Sequence, residues 1–451
     1  MNLLKGPLPK LMRQIAVPAA TGMFLQTILN LTDTWFAGRI STEAQAALSL
    51  SFPLFFVLNT FAAGLATGAS ALVGRALGAS DSRKARCMAG QAIILALSLS
   101  VMLMIIGPLI SRPAFISMGA GGEYLEMCLN YMDTVFLFAP AFLMLSITNS
   151  LLTVQGDSRG MRNALAAGAV ANVGLDYWLM NGGLGVPPLG VTGLALATVS
   201  VQVGSLIYLS RRVHRTGLFK NGFWSALKPD LKMQMELWGQ AIPPGLNLAS
   251  VGLGIYVISW FVGQFGAEAV AAYGVATRIE QLTLLPALGI AMAVLPLTAQ
   301  NDGAGNFKRA EETRALAVSL GARVSVVSFF LLVLGGKFLM GLFTPEEGVK
   351  EAGAYFLRFD ACVFWAYVFL NINVSFLQGL KRPMFAVWIG LYRQIAAPVL
   401  VFWLLAFKLD LGLTGIWLGI VLITASGAVI SEIYTRRVIN TCRTSNYGFF
   451  P

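Results

Sequence analysis

The sequence predicts an all-α polytopic membrane protein, with twelve transmembrane helices in two six-helix lobes related by a parallel pseudo-two-fold repeat. Three observations carry this prediction. The 451 residues are 56% hydrophobic and only 12% charged, about half the charge of an ordinary soluble domain. The apolar residues fall into long runs. The second half of the chain also repeats the first at an offset of 225 residues. This composition excludes intrinsic disorder, and four cysteines are too few for a disulfide-built secreted scaffold.

A spanning helix needs about 20 mainly apolar residues. Twelve stretches qualify, approximately Ile15–Phe36, Ala47–Val73, Met88–Ile110, Leu125–Leu152, Met161–Leu179, Gly190–Leu209, Leu237–Val262, Ala271–Leu297, Ala315–Phe343, Ala352–Leu377, Phe385–Phe407 and Leu413–Ile433. They are too long, and too little alternating, for barrel strands. With both termini cytoplasmic, the inner segments hold 23 Lys and Arg and the outer segments five: Arg39, Arg112, Lys337, Lys350 and Lys408. That asymmetry sets the orientation by the positive-inside rule and accounts for the net charge of +11. The basic residues are dispersed over seven loops, so nucleic acid is not an expected partner. The first run resembles a signal peptide but is too long and ends at Asp33, so it reads as the first span. Cys87, Cys128, Cys362 and Cys442 show no pairing pattern.

The repeat is carried by more than apolar composition. Trp35, Phe36 and Gly38 match Trp260, Phe261 and Gly263, and Pro18 matches Pro243. Glu43-Ala44 matches Glu268-Ala269, and Arg211-Arg212-Val213 matches Arg436-Arg437-Val438. Six spans per half bring both halves in from the same side, which makes the repeat parallel. The expected organisation is an N-terminal lobe at residues 1–215, a cytoplasmic loop at 216–233 and a C-terminal lobe at 234–451. Two such lobes with a cleft between them suit alternating access. Soluble-enzyme signatures are missing: there is no GxxxxGK[ST] and no HExxH. The single histidine, His214, lies in a basic loop and reads as a solvated residue. No enzyme activity, cofactor or metal is expected.

A carboxylate at a helix centre costs roughly 2.5–3.5 kcal/mol, so each needs a reason. Asp33 lies near the outer end of span one, with Gln26 and Asn30 on the same face. Asp176 lies near the outer end of span five, one turn after Asn172, and Asn149 sits in span four. The repeat partners of the two acids are apolar: Ile258 for Asp33, and Pro398 or Val399 for Asp176. An acid pair kept by one lobe alone points to a proton or cation site. The competing reading is a pair of solvated helix-end residues. Arg278 and Glu280 in span eight are a secondary polar candidate. Arg358 and Asp360 read as an interfacial pair, and Arg323 and Arg393 as structural.

Taken together, these segments resemble the multidrug and toxic compound extrusion (MATE) family over essentially the whole chain. The resemblance rests on Thr32-Asp33-Thr34 with Gly38, on Leu77-Gly78-Ala79 and its echo Ala299-Gln300-Asn301-Asp302-Gly303-Ala304, on Gln155-Gly156-Asp157-Ser158-Arg159, and on Gly190-Val191-Thr192-Gly193 followed by Ala197-Thr198. Within the family the chain looks most like the DinF-like branch. That resemblance implies a proton-coupling site at Asp33, Asn172 and Asp176, and substrate contacts at Gln26, Asn149 and Thr198, to which the shared face adds Asn30. It also implies a helix-bending role for Pro18. The NorM-like branch is associated with an acid in the seventh helix, and Ala241–Val262 contains none.

The function implied is secondary antiport in a plasma (inner) membrane, by a monomer, exporting amphipathic and cationic organic compounds in exchange for H⁺. Two carboxyl groups close together can titrate as a coupled unit. The alternatives are a Na⁺-coupled exporter and a lipid-linked saccharide flippase of the same superfamily. The expected partners are small organic substrates and the lipid bilayer.

Overall fold

The protein is described by a computed structural model covering residues 3–183, 185–220 and 222–444. Among these residues it is helical throughout, apart from one isolated bridge between Gly183 and Val186. The first half contains α1 (Leu8–Ile40), α2 (Thr42–Gly78), α3 (Ser82–Ser117), α4 (Gly122–Leu137), α5 (Ala139–Thr153), α6 (Arg159–Asn181) and α7 (Gly190–Thr216). A short α8 (Phe223–Ala226) lies in the connecting loop. The second half contains α9 (Leu231–Gly263), α10 (Ala267–Gly303), α11 (Phe307–Gly341), α12 (Glu347–Gly379), α13 (Met384–Leu391), α14 (Ala397–Phe402) and α15 (Gly412–Thr444).

The repeat extends to the ends of the helices. α2 and α10 are both 37 residues long and are offset by 225 at each end. Asp81 caps α3 by accepting from Lys84 N (2.8 Å), and Asn306, 225 residues later, caps α11 by accepting from Arg309 N (3.2 Å). A short oxygen-bearing side chain stands at each because the first helical N–H groups have no partner inside the helix.

Among the described residues, ten helical stretches are by themselves long and apolar enough to cross a bilayer. The expected fourth span is broken, with α4 and α5 meeting at a 48° bend to make an eleventh. Pro140 enters the first turn of α5 there, where it lacks an N–H for the preceding turn and its ring crowds that turn's carbonyl. α6 corresponds to the expected fifth span and has sufficient length at 23 residues. It carries Asn163, Asn172, Asp176 and Asn181. In the expected eleventh span, π-helical turns cover Tyr392–Ala396 and Trp403–Lys408.

The chain gathers into two compact units. The first comprises Thr21–Gly245; the second comprises the stretch up to Ala20 together with Leu246 onward. The changeovers fall inside α1 and α9, just after Pro18 and after Pro243-Pro244. In the first unit, Leu237 and Ala241 of α9 join a core built from α2 to α5 and α7. In the second, Leu3, Leu11, Met12, Ile15 and Ala16 join a core built mainly from α10, α11, α12 and α15.

Both additions are seated in the same way. A Cβ on Gly64 would lie 2.6 Å from the Ala241 carbonyl oxygen, and one on Gly289 would lie 2.6 Å from that of Ala16. Gly64 and Gly289 are repeat partners, as are Ala16 and Ala241. Gly64 and Gly68 form a GxxxG face, the device by which membrane helices bring backbones together when lipid offers no hydrophobic drive. The connecting loop is fastened to α3 within the first unit. Gln91 Nε2 donates to the Lys228 carbonyl (2.7 Å), and Gln91 Oε1 accepts from Asp230 N (3.1 Å). All four cysteines are free.

Candidate functional site

In the first unit, α1, α6 and α7 bring four of the sequence-selected residues together. Asp33 sits seven residues before the end of α1 and Asp176 five before the end of α6. At 1.5 Å per residue both lie about 10 Å or less inside the C-terminal ends of their helices. Asp33 is 6% exposed, and Asn172 and Asp176 are fully buried. Thr198 Oγ1 donates to Asp33 Oδ2 (2.8 Å). Asn172 Nδ2 donates to Asp176 Oδ1 (3.3 Å) across one turn of α6. The two carboxyl groups interact directly, and Asn172 also reaches Asp33.

Each carboxyl group has one satisfied oxygen. The other two, Asp33 Oδ1 and Asp176 Oδ2, are buried and receive no hydrogen bond, and neither does Asn172 Oδ1. Unsatisfied buried acceptors are costly.

Tyr131 of α4 is 8% exposed and lies within electrostatic reach of both acids. It was not singled out in the sequence, because one Tyr on a helix rich in aromatic and apolar residues reads as packing. The remaining candidates do not join the acid pair through any hydrogen bond among the described residues. Gln26 donates to Asn30 at 3.5 Å, an i,i+4 pair on α1. Asn149 Oδ1 on α5 is buried without a partner. Pro18 is buried inside α1, two residues before the changeover between units.

The second unit holds a different group of charges. Glu280 on α10 interacts with Arg393, which lies in the first π-helical turn, and with Asp360 on α12. Asp360 is fully buried and neither of its oxygens receives a hydrogen bond. The readings of Arg278 with Glu280 and of Arg358 with Asp360 as pairs are corrected here. Each pair is two residues apart and so diverges around its helix. Arg278 and Arg358 are exposed, while the carboxylates turn inward.

Known proteins resemble this chain along nearly its whole length. The family description MatE matches residues 18–178 and again 245–403, once per half of the repeat. A probable multidrug resistance protein, YoeA, of Bacillus subtilis is 27% identical over 412 residues, covering 89% of this chain and 88% of the relative. An FAD transporter of Shewanella oneidensis is 26% identical over 404 residues, covering 87% of each. A solved structure described as the outward-facing conformation of a multidrug resistance MATE family transporter superposes with a TM-score of 0.89. It is 25% identical in sequence, with 98% of both chains covered. With a helical fold that holds buried acids in each half and a family match over both halves, the chain belongs to the MatE family of multi-pass membrane transporters and is not an enzyme.

Proposed function

We propose that the protein exports amphipathic, cationic organic compounds across the plasma membrane in exchange for protons, acting as a monomer with both termini cytoplasmic. The observation that carries this reading is the buried Asp33–Asn172–Asp176–Thr198 group. It holds two facing carboxyl groups with an unmatched oxygen on each, and among the described residues no basic side chain interacts with either. The names of multidrug relatives support the class of cargo, and the 23-to-5 loop asymmetry supports the orientation.

In this reading a proton arriving from outside is taken up between Asp33 and Asp176. The acid that becomes neutral turns from acceptor to donor, so its bonds to Asn172 and Thr198 must rearrange. The same uptake removes the negative charge that holds a cationic cargo, and the cargo leaves. Return to the inner side lets the proton depart and a new cargo bind. Each charge moved across the membrane supplies about 2.3 kcal/mol per 100 mV.

The test is cargo efflux from proteoliposomes under separately imposed pH and Na⁺ gradients. Efflux driven by the pH gradient in the absence of sodium is the expected result. Strict sodium dependence with indifference to pH would overturn the coupling. A second reading, export of a flavin nucleotide, is favoured by the FAD transporter relative. FAD fluorescence in the same vesicles separates the two cargoes.

A further inference from the structure

We propose that a cavity between α11, α12 and α15 of the second unit binds the phosphate group of an anionic phospholipid, with Arg358 as its cation. The inference goes beyond cargo export and proton exchange, because the ligand it names is a constituent of the membrane itself.

The cavity has a volume of about 500 Å³, within the range of small-molecule sites (about 300–1,000 Å³). Its walls include Lys337 of α11, Glu351, Tyr355 and Arg358 of α12, and Leu413 and Trp417 of α15. Tyr355 packs edge-on against Phe359, with ring centres 5.1 Å apart. Trp417 is 1% exposed and lies against Phe356 (4.7 Å). Its indole Nε1–H is buried and has no acceptor among the described residues. Outside the cavity, Tyr355, Arg358, Cys362 and Trp365 follow one another along one exposed face of α12. Leu334 and Phe338 are exposed on either side of Lys337 along α11. Apolar rows of this kind are the surface that spanning helices offer to lipid tails.

The charges here leave one cation over. Lys337 bonds Glu347 (2.6 Å) and Glu351 (3.2 Å), and Lys350 bonds Glu347 (3.1 Å). Two cations and two carboxylates cancel in that group. Arg358 has no ion pair and no hydrogen bond among the described residues, and Asp360, two residues on, is buried on another face of α12. Depth makes this arrangement costly. Arg358 stands five residues from the centre of the 33-residue α12, about 8 Å along its axis. The hydrocarbon of a bilayer reaches about 15 Å to either side of its midplane. An unpaired charge at such a depth needs a partner. Lys337 stands thirteen residues from the centre of the 35-residue α11, about 20 Å along the axis and so at headgroup level.

The cavity therefore leads from the headgroups to a cation held below them. A long arginine side chain brings its charge outward from such a depth, and a lipid phosphodiester is the anion that meets it at the membrane boundary. The planar guanidinium matches two phosphate oxygens at once, and the Trp417 N–H is a further donor. One negative charge on the lipid cancels the one cation left over. The first unit supplies the contrast. Arg112–Glu126 (4.0 Å) repeats Lys337–Glu351 at an offset of 225, but Asp133 stands where the second unit has Arg358. An acid at that place repels phosphate, so the site belongs to the second unit alone.

The test titrates purified protein in detergent with phosphatidylglycerol, with diacylglycerol of the same chains, and with inorganic phosphate, and counts bound lipid by native mass spectrometry. Wild type should take up one phosphatidylglycerol in preference to diacylglycerol, and inorganic phosphate should not displace it. R358Q should bind phosphatidylglycerol about tenfold or more weakly. R112Q, which removes a cation at the repeat position of Lys337, should bind it as wild type does. Equal binding by wild type and R358Q would overturn the proposal. Displacement by inorganic phosphate would do so in favour of a free anion, and equal uptake of diacylglycerol in favour of a merely apolar groove. These last two results stand whether or not R358Q folds. No transport is measured, so the outcome is independent of whether pH drives efflux through Asp33 and Asp176.

Discussion

The two units use the same helix register to different ends. In the first, a carboxyl pair is held by an alcohol and an amide, Thr198 and Asn172. In the second, Glu280 lies within electrostatic reach of both Asp360 and Arg393. The acids do not occupy equivalent places. At an offset of 225, Asp33 corresponds to Ile258, and in the other direction Glu280 and Asp360 correspond to Phe55 and Val135. The breaks in the helices have also changed places. The fourth span of the first unit is bent while its counterpart α12 runs unbroken, and α6 runs unbroken while its counterpart carries π-helical turns. The two halves share a frame and carry their buried acids at different places in it. The first pair is met by neutral hydrogen-bond donors, whereas a cation lies within electrostatic reach of the second.

The comparison breaks most directly at the first unit's acids. Asp33→Asn and Asp176→Asn should each abolish pH-driven efflux in proteoliposomes with expression largely preserved, because Asn matches Asp in size and cannot exchange a proton. Ile258→Asn, at the repeat position of Asp33, should leave the proton dependence unaltered. Normal coupled efflux by both acid variants would make them ordinary helix-end residues. A smaller loss is expected for Thr198→Val, which keeps the shape and removes the donor to Asp33. Initial efflux rates should fall roughly ten- to a hundredfold, in line with about 1.5–3 kcal/mol for a bond to a charged group. An unchanged rate would remove Thr198 from the site.

Two stability measurements sharpen the comparison further. Gly64→Val and Gly289→Val place a side chain against backbone at repeat-related crossings, and each should cost about 1–3 kcal/mol in detergent unfolding. Unequal effects would show that one crossing can relax and the other cannot. The smallest effects concern two ion pairs, one in each unit. Arg314 of the second unit bonds Glu432 and donates to Asn373 Oδ1 (2.8 Å) with a side chain only 11% exposed. Arg212 of the first unit bonds Asp157 (2.6 Å) with a side chain 34% exposed. Arg314→Gln should therefore be the more destabilising, at about 2 kcal/mol, and Arg212→Gln should cost about 1 kcal/mol or less. The reverse order in thermal melts would show that burial does not decide their weight.

Much of the first unit's site was legible in the residues. Asn172 and Asp176 lie one helical turn apart in an otherwise apolar span, and a carboxylate in such a place demands a partner. The second unit's site was not legible. Asp360 and Arg393 are 33 residues apart in sequence, and no periodicity links spans eight, ten and eleven. Which of Arg358 and Asp360 turned inward depended on helix rotation, which loop charges do not report. The bend at Pro140 has a visible cause in the sequence, although span four reads there as one continuous stretch. The π-helical turns had no such cue, since Tyr392–Ala396 reads as continuous apolar helix apart from Arg393 and Gln394.

The divided helices α1 and α9 impose an order on synthesis. The first unit has all its residues once the ribosome has passed Gly245. The second cannot finish its core without Leu3, Leu11, Met12 and Ile15, which are made first and must wait for α10 to arrive some 270 residues later. Their docking against Gly289 is thus a late, long-range closure, the class of step that slows folding most. A chain cut in the connecting loop would leave each fragment without a piece that the other carries: Leu237 and Ala241 for the first unit, and the leading turns of α1 for the second. Two such fragments could regain the fold only by exchanging those pieces.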